Sequence, residues 1–161
     1  GSEPTSVFLA GNADLDALLP AQGVYLDADD ALMQQLLAMR EAVSKVLEPM
    51  RAEGRIGAAL QAEVTVYADG IDVAAMPGLQ DELRFLFITS SLAVQPNNSA
   101  GSDAIAVEGT PFKVLANVSK HGKCVRCWHY VESVGQDAHD PELCGRCIEN
   151  VNGAGEVRRY F

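Results

Sequence analysis

The four cysteines constrain this chain more than any other feature of its sequence. All four lie among its last 38 residues as two pairs, Cys124 with Cys127 and Cys144 with Cys147, which 16 residues separate. Two Cys-x-x-Cys pairs at this spacing are typical of a zinc site, because each pair can direct two sulfurs at one tetrahedral ion. The sequence therefore predicts one structural Zn²⁺ held by four thiolates.

Disulfides and redox chemistry are the competing uses of such pairs. Two disulfides would need an oxidising compartment, and no basic region followed by an apolar one opens the chain as a secretion signal would. A redox dithiol normally occurs once, where a helix follows a strand. His121, His129 and His139 could each replace a cysteine, but four thiolates already complete the shell. We therefore favour four sulfur ligands and expect the histidines near the site or on the surface.

A zinc site of this kind is structural. Four thiolates leave no coordination position open for water or substrate, so metal-assisted hydrolysis is disfavoured. Zinc binding would instead drive folding, with apparent free energies of about 10 to 16 kcal/mol in zinc-finger peptides. A segment of about 40 residues could hardly build a sufficient core without it. No paired carboxylates occur at a recognisable catalytic spacing, so we expect no catalytic residue in this chain.

The charge of the chain is unevenly distributed. Residues 1–110 carry a net charge of −11 and residues 111–161 a net charge of +1, which together give −10. Phosphate contacts need Lys and Arg, so any contact with nucleic acid must be local or must belong to a larger protein.

Composition places the chain among globular proteins, since 48% of its 161 residues are hydrophobic and 21% are charged. No segment approaches the roughly 18 to 20 apolar residues that span a bilayer, so we expect no membrane partner. The chain opens with Gly1 and Ser2 in place of Met, which resembles a cloning remnant. We interpret it as an excised piece of a cytoplasmic protein.

Hydrophobic patterning predicts an α+β fold in three parts. Residues 1–53 would be a connecting segment, with one short helix, that leads into a long helix from about residue 29. Asp29 or Asp30 would cap this long helix, Pro49 would kink its last turn and Gly54 would end it. Residues 54–119 would form a small mixed subdomain, and residues 120–161 a four-cysteine zinc ribbon. Strands are predicted at 60–67, 87–94, 105–107 and 112–118, and a helix at 79–87.

The residues around the cysteines are more specific than their spacing. Residues 123–130 read Lys-Cys-Val-Arg-Cys-Trp-His-Tyr, residues 141–147 read Pro-Glu-Leu-Cys-Gly-Arg-Cys, and residues 155–161 read Gly-Glu-Val-Arg-Arg-Tyr-Phe. These strings closely resemble the carboxy-terminal zinc module of bacterial isoleucyl-tRNA synthetases. Segments 40–48, 62–67 and 81–85 resemble the region that precedes this module in the same family, so the resemblance covers most of the chain from about residue 30.

The resemblance implies a noncatalytic piece of an enzyme that activates isoleucine with ATP and esterifies it to its tRNA. The sequence contains neither a His-Ile-Gly-His-like nor a Lys-Met-Ser-Lys-Ser-like string, which the family uses at its ATP site. The long helix would end the anticodon-binding domain, and the zinc ribbon would lie toward the anticodon end of the tRNA. The implied partners are the anticodon stem-loop of tRNA(Ile) and the rest of the synthetase chain, and we expect a monomer.

The residue types of the zinc module indicate how it could contact RNA. Trp128 follows a metal-ligating cysteine, so an indole held there could stack on an unpaired base for about 1 to 3 kcal/mol. Arg126 could offer its planar donor fork to a base edge or a phosphate. We predict phosphate contacts from Lys120, Lys123, Arg146, Arg158 and Arg159.

Each of these roles has an alternative. Trp128 could instead form the small hydrophobic core of the module. Arg126 and Arg146 could simply neutralise the thiolates. A zinc ribbon could also bind another protein and have no RNA role.

Overall fold

The computed structural model describes residues 27–71, 73, 76 and 78–160. The connecting segment and short helix predicted before residue 27 lie outside the described residues. The chain divides into two compact units, residues 1–34 and residues 35–161. The sheet and the zinc module described below lie within the second unit.

The long helix α1 spans Asp27–Ala52. It begins two residues before the predicted cap, so Asp29 and Asp30 lie inside the helix and the capping prediction was wrong. From Leu36 to Met50 buried apolar side chains recur every three or four residues and form one face of the helix. Gly54 follows the helix with a φ of 70°, and its N–H donates to the carbonyl of Arg51 at 3.0 Å. This left-handed turn ends α1 as predicted.

Four strands form one mixed sheet. The strands are β1 (Ala62–Tyr67), β2 (Ser91–Gln95), β3 (Ile105–Ala106) and β4 (Lys113–Val118). The sheet order is β2-β1-β4-β3, with β1 parallel to β2 and antiparallel to β4, and with β3 antiparallel to β4. Parallel neighbours need a crossover connection, and helix α2 (Leu79–Phe87) lies in the segment that joins β1 to β2. The α+β class is therefore confirmed.

Two strands begin later than predicted, whereas the other strand limits agree with the prediction to within one residue. A 3₁₀ turn at Ala59–Gln61 delays the start of β1 by two residues. Helix α2 ends at Phe87, as predicted, and Ile88 then adopts a left-handed φ of 58°, which postpones β2 to Ser91. Buried Leu79, Leu83 and Phe87 give α2 an apolar face beside the sheet.

The cysteine-containing segment follows β4 and contacts the subdomain through specific hydrogen bonds. The N–H of Tyr130 donates to Oγ of Ser90 at 2.6 Å, and Nε2 of Gln61 donates to the hydroxyl of Tyr130 at 3.2 Å. A helix that the sequence analysis did not predict, α3, spans Gly145–Asn152. Within the described part of the chain, no helix has the length and apolar character to cross a membrane.

Candidate metal centre

The two cysteine pairs converge on one point. The Sγ atoms of Cys124, Cys127, Cys144 and Cys147 all lie within 4.8 Å of one another, and those of Cys127 and Cys144 are 3.7 Å apart. Sulfurs at about 2.3 Å from a tetrahedral zinc ion lie roughly 3.8 Å apart, whereas a disulfide needs about 2.05 Å. All four cysteines are free thiols. The donor set therefore fits one structural zinc ion and excludes the disulfide alternative.

The backbone positions each pair by a different device. In the first pair, the N–H of Trp128 donates to the carbonyl of Cys124 at 2.8 Å, and Trp128 itself has a left-handed φ of 66°. This conformation is uncommon for a bulky residue and closes the turn around the sulfurs. In the second pair, Cys144 is the N-cap of α3, and its own N–H donates to Sγ of Cys124 at 3.3 Å.

Burial controls the ionisation of the thiols. Burial raises the pKa of Cys144 to about 12 and also raises the pKa of Cys147. Burial opposes ionisation of Cys124 as well, but hydrogen bonds from the backbone of Cys127, Cys144 and Arg126 outweigh it and lower its pKa to about 6. Thiolates are the form that binds zinc, so a cation is needed to displace the remaining protons.

Two arginines contact the sulfurs. Nη1 of Arg126 donates to Sγ of Cys147 at 3.6 Å. Despite the burial of its guanidinium, the pKa of Arg146 is raised by the side chain of Cys127, which places the two groups close together. One Zn²⁺ with four thiolates carries a net charge of −2, so both arginines offset the charge of the cluster. The structure therefore supports the neutralising role for both residues, and an RNA contact would be an additional role.

Trp128 lies on the surface. Its side chain is 60% exposed, and Nζ of Lys123 lies 5.3 Å from the centre of the ring, which is a cation–π contact. The hydrophobic packing of the module comes instead from Val131, Val134 and Leu143 against the cysteines. The alternative that Trp128 forms the core of the module was therefore wrong.

A groove borders this indole. Its volume is about 210 Å³, and Trp128, Lys123 and Tyr130 form one side. The other side consists of Gly57, Ala58, Leu60 and Gln61. The indole thus faces a recess formed jointly by the zinc module and the segment before β1, and a flat group could enter there.

The predicted phosphate contacts Arg146 and Arg158 are already partnered. Both guanidiniums lie 2.8 Å from Oε1 of Glu156, and both lie over the ring of Phe85, at 5.0 and 4.1 Å from its centre. Burial opposes ionisation of Glu156, but the hydrogen bond from Arg158 and the charge of Arg146 outweigh it and lower the pKa of that carboxyl. The two arginines therefore connect the zinc module to helix α2.

The terminal segment is anchored through its backbone. The N–H groups of Arg159 and Tyr160 donate to the two carboxylate oxygens of the buried Glu82, each at 2.8 Å. His129 packs nearby with its ring 5.7 Å from that of Phe85 in an edge-to-face contact. Burial lowers the pKa of His129. We expected each histidine either near the metal site or on the surface, and Nδ1 of His129 lies 3.1 Å from the carbonyl oxygen of Cys127.

Sequence reasoning missed the contribution of α2. Glu82, Arg84 and Phe85 all contact or face the zinc module, yet they lie about 40 residues before the first cysteine. The resemblance at residues 81–85 was the only signal that could have indicated them, and it carried no chemical role.

Similarity to known proteins agrees with this geometry. The family described as "Zinc finger found in FPG and IleRS" matches residues 122–150, which include all four cysteines. The chain therefore contains a zinc finger of that class, packed on a small α+β subdomain.

The relatives extend this similarity to the whole chain. An isoleucine–tRNA ligase of Xanthomonas campestris pv. campestris (strain B100) is 47% identical over 161 residues, which is 100% of this chain and 16% of that protein. One of Stenotrophomonas maltophilia (strain K279a) is 51% identical over 145 residues, 90% of this chain and 14% of that protein. The chain is homologous along its length to isoleucine–tRNA ligases and spans about one sixth of the curated relatives it matches.

Proposed function

We propose that this chain is the noncatalytic, tRNA-binding part of an isoleucine–tRNA ligase, in which the zinc module helps to position the anticodon stem-loop. The whole enzyme would activate isoleucine with ATP and transfer it to tRNA(Ile) in the cytoplasm. Cys124, Cys127, Cys144 and Cys147 would be the zinc ligands. The chain itself would have no catalytic activity and would be a monomer when isolated.

The exposure of Trp128 is the observation that supports this proposal most strongly. Trp128 is 60% exposed, so a face of its large aromatic ring is available for a partner to cover. The metal-binding turn of Cys124 and Cys127, here called the metal knuckle, fixes the backbone of Trp128. Little conformational entropy would therefore be lost when a base stacks on the indole. Stacking of a base on an aromatic side chain contributes about 1 to 3 kcal/mol.

The remaining basic residues would assist this contact. Lys123 lies over the same ring and would place a positive charge beside the stacked base. Arg126 is exposed beside the knuckle and would reach a base edge or a phosphate with the part of its fork that does not face Cys147. Arg146, Arg158 and Arg159 would contribute phosphate contacts, which set the salt dependence of binding.

A titration of the chain with tRNA(Ile) at several salt concentrations tests the stacking role. We expect Trp128→Ala to weaken binding about five- to hundredfold, which corresponds to the stacking energy, and Trp128→Phe to weaken it less. Ile105→Ala, which removes another exposed apolar side chain at 55% exposure, is the matched control and should leave affinity unchanged. Equal affinities for wild type and Trp128→Ala, with equal zinc content, would contradict the proposal.

A second test compares two reactions of the whole enzyme, the activation of isoleucine and its transfer to tRNA. Loss of the zinc module should reduce aminoacylation far more than the isoleucine-dependent exchange of pyrophosphate into ATP, because activation does not require the tRNA. Cys124→Ser is the informative variant in the full-length enzyme. A comparable loss of both activities, in an enzyme that is otherwise folded, would show that the module does not act through tRNA.

One observation favours a protein partner instead. Val125, at 53% exposure, lies in the same turn as Trp128, so the surface has an apolar character that a protein could also cover. If the module bound only protein, tRNA would not compete with that protein for this surface. The tRNA titration therefore separates the two functions.

A further inference from the structure

Three guanidinium groups surround one aromatic ring at the junction of α2 and the zinc module. The guanidinium carbons of Arg84, Arg146 and Arg158 lie 5.0, 5.0 and 4.1 Å from the centre of the Phe85 ring. Arg84 belongs to α2, Arg146 to α3 and Arg158 to the terminal segment. The fold thus gathers positive charge from three elements in a chain whose net charge is −10.

Carboxylates do not fully balance this arginine cluster, which we define as Arg84, Arg146 and Arg158. Glu156 pairs with Arg146 and Arg158, and Glu82 receives the backbone N–H groups of Arg159 and Tyr160 on its two oxygens. Within the described ranges, Arg84 forms no salt bridge, and its buried Nε has no hydrogen-bond partner. A guanidinium keeps its charge at any physiological pH, so the buried Nε–H of Arg84 is a charged donor without an acceptor among the described residues.

A recess lies beside this cation. Its volume is about 160 Å³, and Arg84, Arg146, His129 and Ser133 contribute to its lining. Oγ of Ser133 accepts the N–H of Gly145 at 3.1 Å, so its own hydroxyl hydrogen can be donated to a guest. Arg84 can present its N–H groups to a tetrahedral oxyanion, and Arg146 can offer those that Glu156 does not accept. Arg84, Arg146 and Ser133 therefore supply donors to the recess, which suits a ligand that accepts hydrogen bonds.

The metal cluster next to the recess adds negative charge, since Cys127 and Cys144 also line it. Arg126 donates to Cys147 at 3.6 Å, and Arg146 is shared between this cluster and Glu156. These two arginines offset part of the −2 charge of a zinc ion with four thiolates. Arg84 adds a third positive charge that none of these pairs uses.

We infer that the arginine cluster binds a phosphate of the tRNA backbone, with Arg84 as its principal contact. This inference rests on the proposed function and adds to it a residue from outside the zinc module. A phosphate held between α2 and α3 would fix the RNA relative to the subdomain as well as to the metal knuckle. Trp128 would then contact a base, and the arginine cluster would fix the position of the RNA backbone along the protein.

Salt dependence of tRNA binding provides the test. The zinc-loaded chain is titrated with tRNA(Ile) between low and moderate salt, and the slope of log K against log salt is measured. Removal of one phosphate contact should lower this slope by about one and weaken binding roughly fivefold to tenfold at low salt. We expect this result for Arg84→Gln. Arg84→Lys keeps the charge and should restore most of the slope.

Two control variants make the result specific. Arg55→Gln removes an equal charge from an exposed position whose nearest carboxylate, that of Glu53, lies 3.8 Å away, and it should change neither slope nor affinity. Zinc content and melting temperature are measured for each variant, and Arg84→Lys serves as the reference if Arg84→Gln proves unstable. Inorganic phosphate, added as a competitor, should weaken tRNA binding to the wild type more than to Arg84→Gln.

The possible results separate this inference from the proposed function. If Trp128→Ala weakens binding and Arg84→Gln leaves the slope unchanged, the phosphate site is wrong and the tRNA-binding function stands. If neither variant weakens binding, both proposals are wrong. Equal slope changes in Arg84→Gln and Arg55→Gln would reveal a general charge effect and would also overturn the assignment of the site.

Discussion

At the scale of single residues, the thiols of the metal centre depend on their cation. Four sulfur atoms within 4.8 Å of one another, three of them on buried cysteines, cannot all ionise without a positive charge between them. The same burial that protects the site from water therefore makes each ligand costly to expose or to replace. This dependence leads to two predictions.

We expect Cys147→Ser to abolish stable zinc binding. Cys147 is fully buried, and a serine hydroxyl there would remain protonated and would be a poor zinc ligand. The zinc content of the purified chain, measured by elemental analysis, should fall from about one per chain to nearly none. Ser133→Ala, which changes a neighbouring residue that supplies no sulfur, is the control and should retain the metal.

Zinc binding should also release protons and weaken as pH falls. The raised pKa values of Cys144, at about 12, and of Cys147 mean that both thiols hold a proton at pH 7 when no metal is bound. Both bind zinc as thiolates, so binding at pH 7 should release about two protons from them, and affinity should increase with pH. Calorimetry in buffers of different ionisation enthalpy counts these protons. A count near zero would mean that the thiols are ionised before zinc arrives.

The sequence predicted the ligands better than the residues around them. The Cys-x-x-Cys spacing determines how sulfurs can share an ion, so Cys124 and its three partners were predictable from local chemistry. The partners of Arg146 and Arg158 were not, because Glu156 and Phe85 meet them only after the chain has folded. The exposure of Trp128 likewise depends on which side of the knuckle faces the subdomain.

At the scale of elements, α2 is both a component of the subdomain and a support for the zinc module. Its apolar face is buried, and its Glu82 binds the terminal segment. The predicted limits of this helix were correct because its apolar spacing and the preceding Gly78, with a φ of 93°, are local signals. Helix α3 was missed because its N-cap is Cys144, and cysteine is not a usual N-cap residue.

Glu82→Gln should loosen the terminal segment without affecting the metal. The neutral amide retains one acceptor oxygen and loses the charge that strengthens the two bonds to the N–H groups of Arg159 and Tyr160, so we expect a destabilisation of about 1 to 2 kcal/mol. Hydrogen exchange at these two amides should accelerate, while zinc affinity stays unchanged.

Asp81→Asn is the matched control for this variant, because it removes a carboxylate from the adjacent, exposed position of the same helix. It should leave exchange at Arg159 and Tyr160 as in the wild type. If Glu82→Gln exchanged no faster than Asp81→Asn, the carboxylate would not be the anchor that holds the terminal segment.

At the scale of the whole molecule, two cores of different origin meet. The core of the subdomain is hydrocarbon, with buried Val66, Leu83 and Val114 among its members. The core of the module is its four cysteines, with Val131, Val134 and Leu143 packed against them. The two cores share no residue, so the hydrocarbon core of the subdomain can persist when the module loses its zinc ion.

Removal of zinc should therefore unfold the molecule in part. We expect a strong chelator to abolish protection from hydrogen exchange across residues 120–152, because about 30 residues with three partly buried aliphatic side chains cannot form a stable core. Amides of β1 and β4 should stay protected, since their ladder and their apolar contacts do not involve the module.

The hydrogen bond from Tyr130 to Ser90 reports on the junction between these cores. Loss of zinc should expose this amide together with the module, while re-addition of zinc should restore its protection along with tRNA affinity. If the strands instead lost protection in step with residues 120–152, the two cores would unfold as one cooperative unit, and the zinc ion would stabilise the whole second unit of the chain.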